Sequence, residues 1–206
     1  ERRLSCRFAR FLGEDALELE LTLAQPPMDS MVIATPFDAP RAFYYNQKIN
    51  CMPASGVMTL GRRRFEFAPE TSFGTLDWGR GVWTYDNTWY WGNGNGIVNG
   101  KPFGFNIGYG FGNTSAASEN LLLYGGVAHK LSRVQFNIPE ESFLKPWTFS
   151  SEDGRFEMDF VPVIDRAART NALIIESDQH QVFGRFTGRA VLDDGTALEL
   201  KDFLGF

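Results

Sequence analysis

Two cysteines and two histidines are all that the 206 residues contain of those types. Cys6 and Cys51 form no CxxC pair and are too few to staple a small scaffold, so both are expected as reduced, mostly buried thiols. His129 and His180 have no partner at metal-ligand spacing, which argues against a zinc centre. Neither GxSxG nor HExxH occurs, and the glycines of "GNGNG" do not make GxGxxG, because Ile97 stands where the third glycine belongs. No cofactor is implied. Basic residues number 20 against 25 acidic ones, a net charge of −5, which speaks against a general nucleic-acid binder. No apolar run is long enough for an integral membrane segment, and no signal peptide is visible. The triplet Asn113-Thr114-Ser115 matches a glycosylation acceptor, a motif that needs a secreted context. An opening at Glu1 without Met and a close on "KDFLGF" lead us to expect the C-terminal part of a longer chain.

Glycine (21) and phenylalanine (19) are plentiful instead, the flavour of a β protein. Period-two alternation recurs along the chain. In "ALELELTL", Leu17, Leu19, Leu21 and Leu23 share one face, with Glu18, Glu20 and Thr22 on the other. Phe156, Met158 and Phe160 alternate with Glu157 and Asp159 in the same way. A hairpin is expected at Asp194-Gly195 and another near Gly125-Gly126. Helical signals are thin: a short helix opened by Asp38 and Pro40 in "FDAPRAFYYNQK", and a turn in "NTSAASENLL". The reading is one mostly antiparallel β domain over residues 1–206, with about nine to twelve strands and few short helices.

Four of the five tryptophans fall in "DWGRGVWTYDNTWYWGNGNG", residues 77–96. Buried indoles need acceptors, so the cluster is either a large aromatic core or a cavity wall. In an extended segment Asp77, Trp83, Tyr85, Trp89 and Trp91 share one parity, although a turn at Asp86-Asn87 breaks that link. A carboxyl group walled by indoles tends to hold its proton and can act as an acid. Arg80 pulls the other way, and an Asp77–Arg80 ion pair at a barrel mouth is the plainer alternative. Downstream, "FGFNIGYGFG" puts aromatics on one face and Gly104, Asn106, Gly108 and Gly110 on the other, a bare face that invites close approach, most simply by packing. His129 is a candidate proton shuttle, and Glu119, Asp165 and Arg166 are further candidates. The ligand-contact set is Trp78, Trp83, Tyr85, Trp89, Trp91, Asn106, Tyr109 and Tyr124, with Asp77, Arg80 and His129 as the catalytic set.

The order of "FYYNQK", "LDWGRGVWTYDNTWYWGNGNG", "ENLLLYGGVAHKL", "PWTF", "FVPVIDR" and "VFGRFTGRAVLDDGTALEL" resembles the family called domain of unknown function 2804. More distantly, an acidic residue, a WG step and a W-x-W strand resemble the lipocalin-like superfamily of carotenoid 1,2-hydratases. That likeness implies a lipocalin-like antiparallel β-barrel, or the barrel-like half of a two-barrel protein. It also implies Asp77 as the acid that protonates a carbon–carbon double bond, with Trp83, Trp89 and Trp91 as cavity walls. The segment here has no histidine beside its Asp. The functional expectation is therefore binding of a lipophilic small molecule. The alternatives are an acid-catalysed hydratase, cyclase or isomerase of isoprenoid-like substrates, and a structural domain with a filled core.

Overall fold

The computed structural model describes residues 1–172 and 175–206. Strands, turns and loops account for all of them, with no helix among the described residues. Six strands form the first sheet: β1 (Arg2–Leu12), β2 (Asp15–Leu23), β3 (Met31–Pro36), β4 (Phe43–Leu60), β5 (Arg63–Phe67) and β6 (Phe73–Val82). Every pairing is antiparallel and β4 organises them all. Its first half lies between β3 and β6, and its second half between β2 and β5. The partners change at Asn50-Cys51-Met52-Pro53. There the register with β6 slips between Ile49 and Met52, Cys51 takes φ 56°, and Pro53 offers no N–H to a ladder.

The helix expected from Asp38 and Pro40 is absent. Those residues shape a tight turn closed by the Phe37 amide on the Ala42 carbonyl (3.1 Å), and "FYYNQK" runs straight into β4. Cross-strand pairing on both sides of that segment outweighs the local helix signal. "NTSAASENLL" is likewise loop followed by strand.

Nine strands form the second sheet: β7 (Tyr90–Val98), β8 (Lys101–Tyr109), β9 (Leu121–Tyr124), β10 (Val127–Lys130), β11 (Val134–Asn137), β12 (Trp147–Ser151), β13 (Phe156–Ala172), β14 (Ile175–Val191) and β15 (Ala197–Gly205). Their spatial order is β10-β9-β8-β7-β15-β14-β13-β12-β11. The two edge strands are neighbours in sequence, joined only by Leu131, Ser132 and Arg133. Such a link spans at most about 14 Å, whereas a flat nine-stranded sheet is roughly 38 Å across. The sheet must therefore curl, and it forms a half-barrel around one apolar core. Phe103, Phe105, Phe156, Phe160 and Phe186 in that core expose none of their surface. The expected turns at Gly125-Gly126 and Asp194-Gly195 are both present, with positive φ at each glycine. The strand total among the described residues, fifteen, exceeds the expectation because the chain pairs in short pieces such as β9 to β12.

The glycine rows of β7 and β8 serve opposite faces. A Cβ at Gly94 would lie 2.6 Å from the Phe105 ring and 3.0 Å from Phe203, inside the curled core. One at Gly104 would meet the Cys51 sulfur at 2.7 Å, toward the first sheet. Between the sheets runs a seam of buried amides. Asn50 Nδ2 donates to the Phe105 carbonyl (3.0 Å), the Cys51 amide donates to Asn95 Oδ1 (2.8 Å), and Asn95 Nδ2 donates to Thr75 Oγ1 (2.7 Å). Each group stays buried because it has a partner. Both cysteines are free, and burial pushes the Cys51 thiol up to about 12.

Candidate functional site

Residues 77–81, "DWGRG", are the middle of β6, and strand alternation sorts them at once. Asp77, Gly79 and Gly81 share the face turned toward Tyr44 and Lys48 of β4, with the Asp77 side chain still 35 % exposed, while Trp78 and Arg80 share the outer face. Gly79 leaves room for the Tyr44 ring, which lies across it, and Gly81 leaves room for the Phe43 carbonyl. Asp77 stands directly opposite Lys48 on β4. The Lys48 side chain is only 5 % exposed, yet it carries a charge, and its surroundings account for that. Its Nζ lies 2.9 Å from Asp77 Oδ1, 3.6 Å from Glu119 Oε2 and 4.1 Å from the centre of the Trp91 ring. An ammonium out of water is tolerable only with such company.

Asparagines fix the rest. Trp91 Nε1 donates to Asn106 Oδ1 (2.7 Å), and Asn106 Nδ2 donates to the Glu119 carbonyl (3.0 Å). Asn120 accepts from the Gly108 amide (2.7 Å) and donates to the Ser132 carbonyl (3.0 Å). The loop carrying Glu119 is thus bolted to β8 through the Glu119 carbonyl and the neighbouring Asn120 side chain. A Cβ at Gly108 would lie 3.0 Å from Glu119 Oε1, so this glycine makes space for the carboxylate. Glu119 Oε2 is buried without a hydrogen-bond partner among the described residues.

Above the charged group rises an aromatic wall. Phe111 meets Tyr44 at 4.8 Å and Trp89 at 5.3 Å, both edge to face, and Trp83 at 6.2 Å. These rings, with Trp91, Lys48, Asp77 and Glu119, line a half-open cavity of about 190 Å³, with Trp83 and Trp89 themselves half exposed. Burial, then the negative charge of Asp77, raises the Tyr44 hydroxyl above its usual value. A larger trough of about 630 Å³ adjoins it, and Asp77, Trp89 and Trp91 line both. Phe136, Phe143, Trp147 and Phe206 supply its apolar surface. At its polar rim Asp165 Oδ2 lies 2.7 Å from His180 Nδ1, and the His180 ring lies 4.2 Å from that of Phe143.

Of the sequence-derived candidates, Asp77, Trp83, Trp89, Trp91 and Glu119 come together around the small cavity with Asn106 anchoring it from behind, while Arg166 lines the adjoining trough and Asp165 stands at its rim. The others lie elsewhere. Arg80 does not pair with Asp77, because adjacent parity sends it to the opposite face of β6; Lys48 takes that place. Trp78 lies on the outside against Tyr45 (6.2 Å), and Tyr85 is 79 % exposed at the turn where Asn87 bonds Thr84. Tyr109 packs between Tyr90 and Phe136, and Tyr124 lies beneath Lys101. His129 accepts from the Asp193 amide (3.3 Å) at the far hairpin, away from both cavities. Lys48 is the residue that sequence reading missed. Its signal was the alternation Tyr44-Asn46-Lys48, hidden by the helix reading of that segment.

The family described as Domain of unknown function (DUF2804) matches residues 1–206, the whole chain. The chain belongs to the DUF2804 family. No curated protein and no solved structure matches it. Chemistry at this DUF2804 site is therefore argued from the geometry alone. Among the described residues no helix is long and apolar enough to cross a membrane, and no three or more His, Cys, Asp or Glu side chains gather as a metal site.

Proposed function

We propose that the chain binds a lipophilic small molecule, its apolar part in the 630 Å³ trough and its polar end in the 190 Å³ cavity beside Lys48, Asp77 and Glu119. The observation that carries this reading is the sharing of Asp77, Trp89 and Trp91 by the two spaces. One elongated ligand can touch an aromatic floor and a charged end at once. Concavities of this combined size, mostly apolar with a few convergent polar groups, are typical of ligand sites.

In this reading the curled sheet corresponds to the lipocalin-like barrel expected from the more distant resemblance. Acid-catalysed hydration asks Asp77 to carry a transferable proton. Its carboxylate is instead 2.9 Å from a buried ammonium, so binding stands ahead of catalysis. Native mass spectrometry of gently purified protein, before and after denaturation, tests the proposal. A released apolar molecule, rebound by wild type and at least tenfold less tightly by Trp89→Ala, is the expected result. A clean apo mass that persists after incubation with a lipid extract overturns it.

A further inference from the structure

The charge of the small cavity narrows the ligand class. Two carboxylates line it, against one ammonium, a formal balance of −1. Arg80 does not redress this, being on the outer face of β6. Neither does Lys130, which lies behind the Glu119 loop with its Nζ on the carbonyls of Ser118 and Asn120 and does not line the cavity. Lys48 is already engaged by Asp77, so a carboxylate or phosphate head group entering here meets repulsion from Glu119 and finds no free cation.

Five aromatic rings (Tyr44, Trp83, Trp89, Trp91 and Phe111) surround that excess negative charge. Ring faces attract cations, and a cage of rings with a nearby carboxylate is the general solution for holding a methylated ammonium, which has no N–H to donate. Trp91 already makes such a contact, with Lys48. Glu119 Oε2 supplies the spare acceptor: it is buried, has no hydrogen-bond partner among the described residues, and shares the Lys48 ammonium, 3.6 Å away, with Asp77, while Lys130 acts on it only from behind the loop.

We infer that the small cavity is a subsite for an organic ammonium group, in particular a methylated one, and that fatty acids and phosphates are excluded from it. This rests on the ligand-binding reading above, because the remainder of the ligand occupies the trough.

The test uses the full chain and three eight-carbon probes below their micellar range: octyltrimethylammonium, octan-1-ol and octanoate. Binding is read by calorimetry at matched ionic strength, with tetramethylammonium as the head-group-only probe. Expected is the order ammonium, alcohol, octanoate, each step about tenfold, with Glu119→Gln weakening the ammonium probe about tenfold more than it weakens octanol. The wild-type ranking needs no variant, so a folding defect in Glu119→Gln does not spoil it. Octyltrimethylammonium tighter than tetramethylammonium supports an amphiphile, and equal affinities support a small soluble amine. Octanol or octanoate binding as tightly as octyltrimethylammonium overturns the ammonium inference while leaving trough binding in place. No binding of any eight-carbon probe overturns both.

Discussion

The space inside the curled nine-stranded sheet and the seam between the two sheets are both buried, yet they are filled by opposite chemistries. Phenylalanines that need nothing but contact fill the first. Lys48, Asn50, Asn93, Asn106 and Asn120 fill the second, where a buried group needs a partner of the right kind in the right direction. Apolar packing is tolerant of small shifts and supplies most of the stability. The amide seam contributes less free energy but fixes how one sheet sits on the other. Lys48, Trp91 and Glu119 are all aimed by the seam, so the site belongs to the less forgiving of the two regions.

Phe105 gives the sharpest break on the apolar side. It packs against Phe156, Phe186 and Phe203, and Phe105→Ala is expected to cost about 3–5 kcal/mol in urea unfolding. Asn106→Ala should cost less, about 1–3 kcal/mol, because it leaves the Trp91 indole and the Glu119 carbonyl unpaired. It should also weaken ligand binding out of proportion to that loss. Equal stability costs with unchanged binding in Asn106→Ala would show that the seam does not aim the site.

Cys51 sits where the regions meet, and its raised pKa ties stability to pH. In the unfolded chain the thiol ionises near 9, whereas in the native state burial holds it neutral to about 12. The unfolded state therefore binds fewer protons across that window, and stability must fall as pH rises. This contribution is complete below about 9 and gone above about 12. Tyr44 and Tyr109, also raised by burial, add in the same direction above their usual range. Urea midpoints from about pH 8 to about pH 11 should decline in wild type and decline less in Cys51→Ala. Parallel declines would assign the alkaline loss to other groups. The smallest expected effect separates two tryptophans of one cluster. Trp78→Ala and Trp89→Ala should each stay within about 0.5 kcal/mol of wild type in stability, and only Trp89→Ala should alter binding, read by calorimetry with octan-1-ol.

Much of this was legible in the sequence, and the boundary of legibility has a physical cause. Period-two alternation and the glycine turns identify an antiparallel all-β chain, because strand parity is a local property. Asp77, Trp83, Trp89 and Trp91 do line one cavity, but the loop between β6 and β7 breaks the parity that linked them, so it is the pairing of strands and not alternation that brings them together. The reading fails at Tyr85, which lies in that loop, and at Arg80, where nearness in sequence was taken for nearness in space. Neighbours in a strand point apart, so the true partner of Asp77 had to come from another strand. Lys48 lies almost thirty positions upstream (Lys48 against Asp77). Only the register of β4 against β6 reveals it, and register is a long-range fact.

The ladder between β7 and β15 carries a further consequence. It pairs Gly94 with Gly205, and the backbones of Asn93 and Phe206 bond to each other at 2.9 and 3.0 Å. These partners are separated by on the order of a hundred residues, a loop whose closure is slow. During synthesis β7 and β8 are made early, and one flank of β7 stays unpaired until β15 leaves the ribosome. Trp91 stands on β7, and the trough beside the aromatic cavity, which Val182 and Phe206 help to line, is among the last parts of the molecule to be completed. In that interval the nascent chain exposes a glycine-rich strand edge that carries Trp91, the kind of surface on which chaperones act.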